Sequence, residues 1–351
     1  MASTAAAAAN DIAKETQEYL HAAGLNIIVL LEHARKFEGT DEKNSGFSGQ
    51  AFTKVVHDIV TAVDQEVTRF IIACKPPALD AEIRALCPKI NAGLFQLVQH
   101  FGRIPKIAGR TYLVEVRRAV CKTLVAMVLL INTFLEHKVE LSFAILADMP
   151  YMSSTGVFWE HCKELKQIPV DNRAAVLTIW QSVVSGLVKD AAEELNESLA
   201  ESENQTTKDG DGDGEESDSM DDFSPDIPKD RIEEARTMYK LILSAKQVCE
   251  KVGLRCIRDC ETFDEEHVVW LDRLLDLGRP VQDSVDELVA ALSADDDEWK
   301  QAVRLEAAKL TEAMSNLVTL AITFVDDSHL SWFEQCRKRL DVSKHMYHVV
   351  R

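Results

Sequence analysis

The chain has 351 residues, 46% of them hydrophobic, a formal net charge of −19 and a pI near 5.0. The apolar share excludes disorder as the state of the whole chain, and the length suffices for two separate cores. The charge argues against nucleic acid and anionic membrane surfaces, whose phosphates must be neutralised by Lys and Arg, and favours a basic or mixed-charge protein surface as partner.

Glycine and proline number only 14 and 9 and fall in a few clusters. The long stretches rich in Ala, Leu, Glu and Lys between them read as helix, so the expected fold is all-α. The alanine run after Met1 lacks a basic start and a Leu-rich core, so no signal peptide is expected. A first helix is expected from about Asn10 to Phe37, then a Gly/Ser/Asp loop. Ser48 or Gly49 caps a second helix, which runs to Cys74 and stops at Lys75-Pro76-Pro77. A third covers Asp80 to Phe101, with Pro88 as a kink or a late start. The fourth, Thr111 to Glu136, carries Leu113, Val116, Val120, Leu124, Met127, Ile131 and Phe134 at three- and four-residue steps. Val125, Val128 and Leu135 widen that face, which suits the middle of a bundle. Its most apolar run, Thr123 to Leu135, is shorter than the ~20 residues that span a bilayer. A shorter helix around Val157–Leu165 ends at Ile168-Pro169. Asp171 then caps a long one with Val176, Trp180, Val183, Leu187, Ala191 and Leu195 on one face.

From about Ser202 to Asp226 the chain turns acidic and loses its apolar period. Residues 201–227 are therefore expected to be a disordered acidic linker between two antiparallel helical bundles, 1–200 and 228–351. In the second, Ile232, Ala235, Tyr239, Ile242, Cys249, Val252 and Cys256 form one face. Val268 to Leu277 follows, and Gly278-Arg279-Pro280 is expected to kink or restart the helix. Val303, Ala307, Leu310, Met314, Leu317, Ala321 and Phe324 then alternate in steps of four and three. A last helix is expected from Ser331 to about His348.

Each motif has a plain alternative. Asp209, Asp211, Asp213 and Gly214 match the opening of an EF-hand loop, but the eighth position is Glu216 and the twelfth is Met220 instead of a bidentate Glu, so a solvated acidic stretch is favoured over calcium. Cys256 and Cys260, with Cys249 and His267, lack the paired, loop-borne spacing of zinc ligands and read as core. His345 and His348 have no third ligand in view and read as surface residues. No CxxC occurs among the eight cysteines, which fits reduced thiols in the cytoplasm or nucleus. No phosphate loop, nucleophile elbow, HExxH or kinase set is present, so no catalytic residue, cofactor or metal is nominated and no enzyme is expected. Ser219, beside Asp218, Asp221 and Asp222, suits an acid-directed kinase. The Val303, Leu310, Met314, Leu317 and Phe324 seam reads first as packing within the chain and second as a zipper for a protein partner.

The stretch Ile168-Pro169-Val170-Asp171-Asn172-Arg173-Ala174-Ala175, followed by Val188-Lys189-Asp190-Ala191-Ala192-Glu193-Glu194, resembles the D-type-cyclin-binding protein family, the Grap-adaptor- and cyclin-D-interacting proteins. Ser284-Val285-Asp286-Glu287-Leu288 and the Arg304 to Leu310 stretch are similar to that family too. The resemblance implies a helical protein of nucleus and cytoplasm. It would bind D-type cyclin and helix-loop-helix regulators, restraining cell-cycle progression through reduced phosphorylation of the retinoblastoma protein. Long amphipathic helices also suit a cytoskeletal adaptor of the vinculin and α-catenin kind, which is the alternative.

Overall fold

A computed structural model of the protein describes residues 12–41, 46–140, 151–208, 227–260, 264–294 and 298–348. Among the described residues every regular element is a helix, as the composition predicts. The chain divides into two compact units, Met1–Ala175 and Val176–Arg351.

The first unit holds α1 (Lys14–Lys36), α2 (Gly49–Ala73), α3 (Asp80–Phe101), α4 (Arg110–Asn132) and α5 (Tyr151–Lys166). Helix α4 packs against α1, α3 and α5, while α2 packs against α3 and α5. Leu124, Ala126, Met127, Val128 and Leu130 of α4 are almost wholly buried, as its broad apolar face requires. Ser48 caps α2, its Oγ accepting from the Ala51 N–H at 3.3 Å. Helix α3 begins at Asp80 and takes Pro88 within it, so the late start is not what occurs. Helix α4 ends at Asn132 instead of Glu136 because side chains take over the backbone groups beyond it. Asn132 Nδ2 donates to the Val139 carbonyl at 3.0 Å, and the Val139 N–H donates to Asn132 Oδ1 at 2.8 Å. Gln17 does the same further on, donating to the Phe134 carbonyl and accepting from the Glu136 N–H.

The segment 170–172 is clasped by two glycines. Gly109, at φ 108° and ψ 141°, precedes α4 and has no side chain with which to cap it. Asn172 does so from a distance: its Oδ1 accepts the Tyr112 N–H at 2.9 Å, with Asn172 itself fully buried. A Cβ on Gly109 would stand 2.2 Å from Asn172 Cγ, and one on Gly49 would stand 1.8 Å from the Val170 carbonyl oxygen. Asp171 caps the helix that follows, its Oδ1 accepting from the Ala174 N–H at 2.7 Å, as predicted. The Val-Asp-Asn core of the 168–175 block is thus built for packing and capping.

His100 of α3 stacks on Phe52 of α2, ring centroids 4.6 Å apart at 9°, and its Nε2–H donates to the Phe52 carbonyl at 3.3 Å. Burial lowers its pKa below the ordinary 6.5; the Phe52 carbonyl opposes this and Arg103 adds to it. A histidine depressed in the fold contributes stability that is present above its unfolded pKa and lost as pH falls from about 6.5 through the lowered folded value. Urea midpoints measured from about pH 7 down to about pH 5 are therefore expected to fall less steeply for His100→Gln than for the wild type. Parallel slopes would remove His100 from this role.

The second unit begins within α6 (Asn172–Ile179), which passes through a π turn, Trp180–Ser185, into α7 (Gly186–Lys208). Then come α8 (Ile232–Val252) with a π turn at Gly253–Arg258, α9 (Glu265–Ser293), α10 (Trp299–Ala321) and α11 (Asp327–His348). Helix α9 packs on α7, α8 and α10, and α10 packs on α11. Of the expected stripe Val176, Trp180, Val183, Leu187, Ala191 and Leu195, the structure buries Val176, Trp180, Ala191 and Leu195 but not Val183 and Leu187. Val184 and Val188 take the inner places expected for Val183 and Leu187, and Leu187 is 40% exposed. The π turn closes on the fifth residue instead of the fourth, so it takes up one extra residue and moves the inner face by one position.

Helix α9 runs through Gly278 and Pro280 without restarting. Gly278 is needed there for space: its Cβ would lie 2.5 Å from the six-membered ring of Trp180, and a Cβ on Gly253 would lie 2.9 Å from the same indole. Trp180 is fully buried and its Nε1–H donates to the Cys249 carbonyl at 2.9 Å. The C-terminal end of α9 is held by the nearly buried Arg231, whose guanidinium donates to the carbonyls of Leu292 (3.1 Å) and Ala294 and lies over the Trp299 ring. Helix α11 starts at Asp327, four positions before Ser331, after a turn in which Asp326 Oδ1 accepts from the Ser328 N–H. Residues 209–226, with Asp209, Asp211, Asp213 and Ser219, lie outside the described residues, as does most of the expected linker. Helices α7 and α8, on either side of them, pack against each other in the second unit.

Candidate partner-binding site

Of the seam predicted from sequence, Val303, Leu310, Met314 and Leu317 are fully buried in the second unit's core. Phe324 lies beyond the end of α10 and is 39% exposed. A partner arriving at this face therefore meets Phe324 and not the four others. Phe324 borders a groove of about 810 Å3 between α9 and the end of α10, with Val269, Trp270, Leu277 and Leu320 as its apolar lining. Glu265, Glu266 and Arg273 are its charged members. His267 packs edge-on against Phe324, and Trp270 is pinned by donation from Nε1–H to the Leu320 carbonyl at 2.9 Å. Asp264 caps α9 through the His267 N–H and also meets His267 Nδ1 at 2.7 Å; these bonds hold its carboxyl below the usual range.

A second groove, about 340 Å3, lies in the first unit among α1, α4 and α5. Leu31, Val125, Ala126, Leu129 and Val157 line its apolar part. Arg35, Arg118 and Lys122 supply its charge with His161 beside them, and among the described residues no carboxylate belongs to the lining. Each has an acidic partner: Arg35 meets Glu32 at 3.5 Å, Arg118 meets Glu115, and Lys122 and His161 each meet Glu164 at 3.2 Å. Burial works to raise the Glu164 pKa, but Lys122 and His161 outweigh it and hold the carboxyl low. Sequence periodicity assigned Val125 to the core because it widens the face of α4. The signal for a groove was present in Arg118 and Lys122, four apart beside a face wider than one helix contact fills.

The cysteines behave as core residues. Cys249 and Cys256 are buried, and burial pushes the Cys249 thiol up to about 12 and raises that of Cys256 as well. Such thiols stay protonated and are poor nucleophiles. Among the described residues no group of three or more His, Cys, Asp or Glu is placed to hold a metal ion. The side chains of His345 and His348 lie outside the described part. Nor, among the described residues, is any helix long and apolar enough to cross a membrane.

The chain is similar to known proteins. Residues 55–201, which carry all of α4 and α5, match the family described as Grap2 and cyclin-D-interacting, N-terminal. The chain is 30% identical to the cyclin-D1-binding protein 1 homolog of Xenopus laevis, over 82% of this chain and 83% of that protein. It is 27% identical to the Danio rerio homolog over 85% of this chain and 86% of that one. Cyclin-D1-binding protein 1 of Homo sapiens is 24% identical over 91% and 88%.

Proposed function

The chain belongs to the Grap2 and cyclin-D-interacting protein family, and from that premise we propose that it is a regulatory protein that binds a D-type cyclin and acts by occupying its partner. The observation that carries this is the similarity to proteins named for binding cyclin D1, which extends over more than four-fifths of both chains in the frog and fish comparisons. Exposed apolar grooves edged by charge suit protein docking. Thiols held protonated by burial support a role in binding instead of covalent chemistry. In this reading the protein restrains cell-cycle progression from the cytoplasm and nucleus, and helix-loop-helix regulators are further partners. A cytoskeletal adaptor role rested on helix architecture alone, and the named relatives favour cyclin.

Calorimetric titration of the full chain with a D-type cyclin from the same organism is expected to give a dissociation constant of about 1 μM or tighter, roughly −8 kcal/mol. Absence of heat at tens of micromolar, with both proteins folded, would refute cyclin binding.

A further inference from the structure

We propose that the cation-edged groove among α1, α4 and α5 is the docking site for an acidic amphipathic helix of the protein partner. The inference rests on the reading that this chain acts by binding a protein, and it adds the place and the chemistry of the bound segment.

Charge complementarity decides the occupant. The whole chain carries −19, yet the titratable side chains that line this groove, apart from the Cys121 thiol, are Arg35, Arg118, Lys122 and His161. The cations gather at one end. Helix α1 runs antiparallel to α4, with Gly24 against Ile131 and Arg35 beside Cys121. Arg118 and Lys122 lie one turn apart on α4 at that same end, and His161 bonds to Glu164 together with Lys122. Arg118 stands out from its ion pair, whereas Arg35 and Lys122 are about as exposed as their partners Glu32 and Glu164. The Arg118 side chain is 59% exposed and that of Glu115 only 17%, so the guanidinium faces outward and its carboxylate is mostly covered.

The other end is apolar, with Val125, Ala126, Leu129, Leu31 and Val157. From Arg118 to Leu129 the wall of α4 extends about 16 Å, three turns of helix. That length accepts apolar anchors at i, i+3 or i+4, and i+7 of an incoming helix, with Asp or Glu at its edge meeting the cations. A basic helix would bring like charge to the same edge. The other groove, with Glu265 and Glu266 in its lining, is the poorer match for an acidic segment.

The test uses the full chain and a fluorescein-labelled peptide with Leu on one helical stripe and Glu elsewhere, against a scrambled peptide of the same composition. Anisotropy titration is expected to show binding by the amphipathic peptide only. The double variant Arg118→Gln/Lys122→Gln should weaken it about tenfold or more, and added salt should weaken it too. Arg279→Gln/Lys309→Gln removes the same charge from the second unit and should leave the affinity unchanged. No binding by the amphipathic peptide, equal binding by the scrambled one, or an unchanged affinity in the Arg118/Lys122 variant would each overturn the assignment. The same variants titrated with the D-type cyclin separate the two claims. A cyclin that binds wild type and the Arg118/Lys122 variant alike removes the groove and leaves cyclin binding standing, whereas a cyclin that binds neither while the peptide result holds removes cyclin as the source of the helix.

Discussion

Replacing Trp180 by Ala is expected to destabilise the second unit by about 3–5 kcal/mol, the range for deleting a large aromatic from a packed core. The indole has no exposed surface, and it is enclosed by Gly253 and Gly278, at which even a methyl group would collide with it. The variant also leaves the Cys249 carbonyl without the Nε1–H that it accepts. For a unit of this size the expected drop in melting temperature is on the order of 10 °C. The converse substitution, Gly278→Ala, crowds the same ring and should cost about 1–3 kcal/mol. Because both changes act on one space, the double variant is expected to be less damaged than the two single losses added together. Urea denaturation of the four proteins measures this directly. A Trp180→Ala protein that melts within a degree or two of wild type would show that the indole does not organise this core.

The second large effect is expected at Gly109. Its backbone, at φ 108° and ψ 141°, lies where residues with a side chain are strained by about 1–3 kcal/mol. Alanine there would also push its Cβ into the Asn172 amide and break the hydrogen bond that caps α4. A buried N–H left unpaired costs about 1–3 kcal/mol more. Gly109→Ala should therefore lose about 2–6 kcal/mol in sum, and Asn172→Leu about 1–3 kcal/mol. Once Gly109→Ala has displaced the amide, adding Asn172→Leu should cost little, which a double-mutant cycle in urea reads out. Full additivity of the two would mean that they do not act at one joint.

Much of the fold could be read from periodicity and punctuation. Ser48, the Pro76-Pro77 stop and Asp171 mark helix ends through local chemistry, and the structure uses each of them there. Two of the errors involve a partner distant in sequence. Asn132 ends α4 because Val139 folds back on it, and the glycine at 278, inside a continuous helix, leaves room for Trp180. The slip from Val183 to Val184 arises from a π turn, for which no fixed residue pattern exists. The grooves were harder to read. A core position and a groove wall are both apolar at helical spacing, so Val125 and Leu310 look alike until the neighbouring helices are in place.

The π turn at Trp180–Ser185 has a consequence for chain length. Because one residue too many is absorbed there, the helix before it and the helix after it already stand in phase as if that residue were missing. A related chain that is shorter by one residue between Trp180 and Ser185 would simply wind as an ordinary α-helix and keep Val188 and Leu195 turned inward. The same deletion a few turns later, within α7, would swing everything beyond it by about 100°. A gap that is harmless at one place on this rod is ruinous at the next.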